Sequence, residues 1–77
     1  MPSLPSISFT QLCRIVETMG FAKTRQKGSH IRYVHSDGRK TTIPNHGNQD
    51  VPKGLLSKII KQDLLISVDE FIAFMTK

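Results

Sequence analysis

Two glycine turns decide the middle of this chain. Lys27-Gly28 and Ser36-Asp37-Gly38 both carry turn chemistry. Glycine reaches positive φ without steric cost, and Ser or Asp can bond its own backbone locally. The turns divide the residues after Gly20 into extended runs near 21–26, 29–35 and 39–44, and Pro44 ends the last because it lacks a ladder N–H. Two tight hairpins put neighbouring runs side by side, so the centre of the chain is a three-stranded antiparallel meander.

Register decides which face of this meander is wet. If the second loop has three residues with Gly38 left-handed, Tyr33 faces Thr41 and Ile31 faces Ile43. The apolar residues then gather on one face, and His30, Arg32 and Lys40 occupy the other. A two-residue loop would mix the sets and bury charge, so the hydrophobic pattern selects the first register. The first strand gives no such guidance, because Phe21 shares its parity with Lys23 and Arg25.

Helices flank the meander. Ser8 with Gln11 is a capping box, and Ile7 with Leu12 occupies the two staple positions. Leu12, Ile15, Val16 and Met19 then repeat at helical spacing up to Gly20, which predicts a helix over about 9–19. Asp50, with Pro52 in the first turn, is positioned to cap a second helix that buries Leu55, Leu56, Ile59 and Ile60. Ser67 with Glu70 opens a third, carrying Val68, Phe71, Ile72 and Met75. The expected order is α-β-β-β-α-α, an α+β fold with helices covering one sheet face. The chain reads as one domain over 1–77, with 1–7 an irregular lead-in.

Composition narrows the function classes. Seventy-seven residues hold one small core and no two-lobed metabolic cleft. A lone Cys13 forms no intramolecular disulfide, which points to a reducing compartment. The longest apolar run is Leu64-Leu65-Ile66 and the N-terminus has no signal-peptide pattern, so a cytoplasmic protein without membrane association is expected.

The charge is concentrated. Residues 1–20 balance Arg14 against Glu17, and 41–77 balance Lys53, Lys58, Lys61 and Lys77 against Asp50, Asp63, Asp69 and Glu70. Residues 21–40 carry Lys23, Arg25, Lys27, Arg32, Arg39 and Lys40 against Asp37 alone, so the entire +5 lies there. Such a cluster suits a polyanion, nucleic acid first, although a merely solubilising surface has the same composition.

Within it, Arg25-Gln26-Lys27-Gly28-Ser29-His30 brings a close-approach glycine turn together with two cations, a hydroxyl and an imidazole. Histidine titrates near neutrality, with an unperturbed pKa of about 6.5. RNA supplies its own nucleophile, the 2′-OH beside each phosphate. One histidine to move a proton, with cations to offset phosphorane charge, suffices for cleavage without metal. Taken alone, Gly-Ser-His is a weak signal, because a strand histidine is more often structural.

A longer pattern is more specific. Gly20-Phe21, then Arg25-Gln26-Lys27-Gly28-Ser29-His30, Asp37-Gly38-Arg39 and Ile43-Pro44-Asn45-His46-Gly47-Asn48 resemble the signature of HicA-type toxins, in order, over roughly residues 6–72. The resemblance implies a double-stranded-RNA-binding-domain-like fold and an mRNA interferase of a bacterial or archaeal toxin–antitoxin pair, neutralised when a HicB-type antitoxin occludes its active site. It implies His30 as the catalytic residue and Gly28 as the motif glycine, with no cofactor, and a free toxin that is monomeric. Two positions depart from the common pattern. Ile31 stands where many members carry a second histidine, and Lys61-Gln62-Asp63-Leu64 lacks the glycine that ends this helix in many.

Other residues have plainer readings. His35 is expected to be a solvated strand-end residue and His46 a structural or antitoxin-contact residue; a zinc site from His30, His35 and His46 lacks a fourth ligand. Cys13 shows no feature of reactivity, and Glu17 reads as an exposed helix charge. Tyr33 could stack on a base, but the chosen register puts it in the core. The expected site is therefore His30 as general base or acid, with Arg25, Lys27, Arg32 and Lys40 on RNA phosphates and Gly28 and Ser29 shaping the turn. The competing expectations are a non-catalytic RNA-binding module of the same fold and an interaction protein docking an acidic partner.

Overall fold

The computed structural model describes residues 4–76. Its elements are α1 (Phe9–Thr18), β1 (Ala22–Lys27), β2 (His30–Val34), β3 (Lys40–Pro44), α2 (Lys53–Lys58), a π-helical segment (Ile59–Leu64) and α3 (Val68–Met75). The strands form one antiparallel sheet in the order β1-β2-β3. It is an α+β arrangement in which Ile31, Tyr33 and Ile43 of the sheet join Leu12 and Val16 of α1, Leu56, Ile59, Ile60 and Leu64, and Phe71 of α3 in one core. Fully burying a side chain of this size contributes about 1.5–3 kcal/mol, which is how so short a chain holds together.

Local chemistry sets the helix ends. Ser8 Oγ accepts the Gln11 N–H at 3.1 Å, and Gln11 Oε1 accepts the Ser8 N–H at 2.8 Å. Gly20, at φ +104°, turns the chain out of α1. The same reciprocal box at Ser67 and Glu70 starts α3.

The β2–β3 register is the one the hydrophobic pattern selects. Ile31 faces Ile43 and Tyr33 faces Thr41, all four buried, while His30, Arg32, Lys40 and Thr42 are exposed. Gly38 has φ +100°, and the His35 N–H bonds the Arg39 carbonyl at 2.8 Å across the three-residue loop. The parity conflict in β1 is removed by a bulge between Lys23 and Arg25. Lys23 thus lies opposite buried Tyr33, whereas Arg25 lies opposite exposed Arg32. One extra residue moves every later side chain to the other face.

Two expectations about the second helix need correction. Asp50 does not cap α2: it forms an isolated bridge with Ser8, the Val51 N–H bonds the Ile7 carbonyl, and α2 begins after Pro52 without a side-chain cap. The lead-in is irregular over residues 4–7, with 1–3 outside the described residues, and its Ile7 is core at 1% exposure. The second helix also changes form midway. Its C-terminal half is π-helical, a spacing that lets Ile59, Ile60 and Leu64 all reach the core. Leu65 then ends it at φ 56°, ψ 43°, a left-handed conformation usually given to glycine.

Glu17 is more than a surface charge. Its Oε2 accepts the hydroxyl of Tyr33 at 2.6 Å, and Tyr33 is 1% exposed. Burial, reinforced by this carboxylate, pushes the Tyr33 phenol well above its ordinary range. Burial likewise raises the Cys13 thiol, which keeps it protonated and unreactive at neutral pH. Among the described residues no helix is long and apolar enough to cross a membrane.

Candidate functional site

The sheet face turned away from the helices is a cationic plane. Cross-strand pairing arranges it in three rows: Lys27, His30 and Pro44; Arg25, Arg32 and Thr42; Ala22, Val34 and Lys40. Residues directly opposite in an antiparallel pair share a face, so Arg25, Lys27, Arg32 and Lys40 all project from this plane beside His30. Among the described residues none of the four is in an ion pair; Asp37 pairs with Arg39 and lies beside the His35 ring. Arg25 and Arg32 stand directly opposite one another. Like charges in that relation destabilise a sheet, and an anion placed between them would offset this.

His30 is held firmly although exposed. It opens β2 one residue after the two-residue loop Gly28-Ser29, where Gly28 has φ +60°, the glycine-first pattern of a tight hairpin. Gln26 Nε2 donates to the Gly28 carbonyl at 3.1 Å, and the Asn45 N–H donates to the Ser29 carbonyl at 2.7 Å. Asn45 Oδ1 in turn accepts the Gly47 N–H at 2.9 Å. The Gly47 carbonyl accepts from both the backbone and hydroxyl of Thr10, which ties the loop to the first turn of α1. The hairpin tip is thus braced from the helix, and the imidazole occupies a fixed edge of the plane.

The other two histidines are elsewhere. His35 is not a solvated strand end: its side chain is 19% exposed and packs edge-on against Phe21 at 5.1 Å. With the proton on Nε2, the ring donates to the Met19 carbonyl at 3.2 Å and accepts the Asp37 N–H at Nδ1 at 3.1 Å. It locks the end of α1 to the second turn. His46 makes an edge-to-face contact with Phe9 at 5.1 Å, a structural placement. Among the described residues no group of three or more His, Cys, Asp and Glu is placed to hold a metal ion.

Arg39 also leaves the cationic set. Its guanidinium donates to Asp37 Oδ2 at 2.8 Å and to the Leu64 carbonyl at 2.6 Å, and it lies over Phe21. Its backbone N–H and then its guanidinium hold the Asp37 carboxyl below the ordinary carboxylate range. Gly20-Phe21 and Asp37-Gly38-Arg39 therefore form a clamp, whereas the segment 25–30 forms the open face. Sequence reasoning missed the bracing role of Asn45. Its signal was the Asn-X-Gly spacing of an Asx turn.

Chemically, this arrangement offers one imidazole and four unneutralised cations on a rigid plane, suited to a phosphodiester. Comparison with known proteins agrees in kind. The sequence model of the family described as HicA toxin of bacterial toxin–antitoxin systems matches residues 9–64. A relative from Pseudomonas fluorescens (strain Pf0-1), named probable mRNA interferase HicA, is 30% identical over 56 residues, covering 73% of this chain and 92% of the relative. The match begins with α1, spans the whole cationic plane and ends with the π-helical segment.

Proposed function

This chain belongs to the HicA toxin family, and from that premise we propose that it is the RNA-cleaving toxin of a toxin–antitoxin pair. In this reading it is a cytoplasmic, monomeric mRNA interferase on a double-stranded-RNA-binding-domain-like fold, and a HicB-type antitoxin silences it by covering the cationic plane. One observation supports the reading: His30 stands exposed, on a braced hairpin, at the edge of a plane whose four cations have no ion-pair partner among the described residues.

The chemistry needs no cofactor. RNA lies across the plane with its phosphates against Arg25, Lys27, Arg32 and Lys40. His30 removes the proton of the 2′-OH, and the 2′-oxygen attacks the neighbouring phosphorus. The bond from phosphorus to the 5′-oxygen breaks, leaving a 2′,3′-cyclic phosphate, and the 5′-oxygen takes up a proton. The cations stabilise the extra negative charge of the phosphorane. Gly28 lets the backbone approach closely, and Ser29 completes the turn.

His30→Ala tests this reading. Because His30 is exposed and has no side-chain hydrogen bond among the described residues, the fold should be unaffected. Cleavage should fall by about 10²–10⁴-fold and growth arrest should vanish. Wild-type cleavage should persist in EDTA. An alanine variant that degrades RNA as fast as wild type would remove His30 from the chemistry. The rival reading, a non-catalytic RNA-binding module, draws on the same four cations; it requires that neither protein cuts RNA while both bind it with steep salt dependence.

A further inference from the structure

The cations are not distributed evenly around His30. Lys27 shares the row of His30, and beyond that row, toward the hairpin tip, the neighbours are Gly28, Ser29 and the segment 45–49, none of which is Lys or Arg. That segment is fixed there by the bond from the Asn45 N–H to the Ser29 carbonyl. In the opposite direction along β2, the next row on the same face is Arg25 with Arg32, and the row after that holds Lys40. Successive rows are about 7 Å apart, two residues of strand rise. Arg39, which would have widened the positive surface near Lys40, is turned to Phe21 and Leu64 instead.

We infer that substrate recognition is one-sided: the RNA phosphates that the protein grips lie on one side of the scissile bond, running from the Arg25–Arg32 pair toward Lys40. The nucleotides on the other side cross only the turn beyond the Lys27–His30 row, where no Lys or Arg stands. The paired arginines are the principal grip, because an anion between them relieves their mutual repulsion. This rests on the cleavage reading above and adds which part of the substrate matters. Cuts should occur close to one RNA terminus and not close to the other.

The test begins with a long unstructured transcript in which one wild-type cut is mapped. Two short RNAs are then made around that cut, each keeping several nucleotides on one side and a single nucleotide on the other. One short RNA should be cut about as fast as the untrimmed control. The other should lose roughly tenfold or more in kcat/KM, the lower range for lost charge-assisted hydrogen bonds. Its binding to the His30→Ala protein should show a salt slope shallower by about 1.4, two single-strand phosphate contacts at about 0.7 each. In Arg25→Gln/Arg32→Gln, built on surface positions without ion pairs, the two short RNAs should behave alike. Equal losses on trimming either side overturn the inference, as does an asymmetry that survives in the double variant. A transcript that wild type leaves uncut overturns the cleavage reading itself, and the one-sided substrate with it.

Discussion

The Arg39 guanidinium lies 5.2 Å from the centroid of the Phe21 ring. From there it also reaches the Leu64 carbonyl and the Asp37 carboxylate, so one side chain joins the second hairpin turn to the end of the π-helical segment. A planar, forked donor can serve these partners at once; an ammonium cannot. Arg39→Gln should therefore cost about 1–3 kcal/mol, the sum of a cation–π contact and charge-assisted hydrogen bonds. Arg39→Lys should recover little of it. Urea unfolding measures both.

Arg32→Gln should show the opposite dissociation. Arg32 is exposed, has no carboxylate partner among the described residues and faces Arg25. Stability should stay within about 0.5 kcal/mol of wild type or rise slightly. The salt slope of RNA binding should fall by about 0.7, one phosphate contact. Arg39→Gln should leave that slope unchanged. Equal slope losses in the two variants would mean that the basic cluster acts as a diffuse charge.

This contrast also marks how far the sequence could be read. Capping boxes at Ser8 and Ser67, the glycine turns and the alternation of β2 and β3 are local patterns, and each was legible. The common face of His30, Arg32 and Lys40 was legible too, because the β2–β3 register sets it, whereas that of Arg25 and Lys27 depended on the β1 bulge. Roles decided by distant partners were not. Asp50 had to choose between capping its own helix and pairing with Ser8, which lies far away in the chain. Arg39 belongs by position to the basic run and by contact to the core clamp, and His35 was misread for the same reason; Glu17 is the exposed helix charge it was read as, but its bond to Tyr33 was not legible. The β1 bulge is a backbone event with no residue signature of its own.

Leu65 offers a stabilising substitution. It ends the π-helical segment at φ 56° with its side chain 67% exposed, so it carries left-handed strain and buries little. The left-handed region costs a side chain about 1–2 kcal/mol. Glycine gives back about 0.5–1 of this through the entropy of the unfolded chain. Leu65→Gly should thus raise stability by about 0.5–1 kcal/mol. Thermal unfolding with no gain in midpoint would show that the exposed leucine contributes packing that its accessibility conceals.

Two glycines with positive φ should respond unequally to alanine. At Gly20, with φ +104°, an added Cβ would come within 3.0 Å of His35 Nε2 and crowd the bond that ring makes to Met19. At Gly28, with φ +60°, it would meet nothing within 4 Å. Gly20→Ala should cost about 2–3 kcal/mol, and Gly28→Ala about 0.5–1 kcal/mol. Gly28→Ala should still reduce RNA cleavage, because its methyl group stands where the backbone meets the substrate. Denaturant midpoints paired with cleavage rates separate the two effects.

Tyr33 makes stability depend on alkaline pH. Its folded pKa is raised, first by burial and then by the Glu17 carboxylate, above the ordinary value of 10.0. A group with a raised folded pKa supports the fold fully below its unfolded pKa. As pH climbs past that value the unfolded chain releases a proton that the native state still holds, and stability falls. Cys13, raised by burial above 9.0, adds an earlier and smaller decline of the same sign. Tyr33→Phe keeps the ring in the core but gives up the 2.6 Å bond to Glu17, so at pH 7 it should cost about 1 kcal/mol, because the freed carboxylate turns to water. Above pH 10 its stability should decline less steeply than that of wild type, and the two curves should converge. Urea unfolding at intervals from pH 7 to pH 11 measures this. Parallel curves would mean that the phenol already titrates as it does in the unfolded chain.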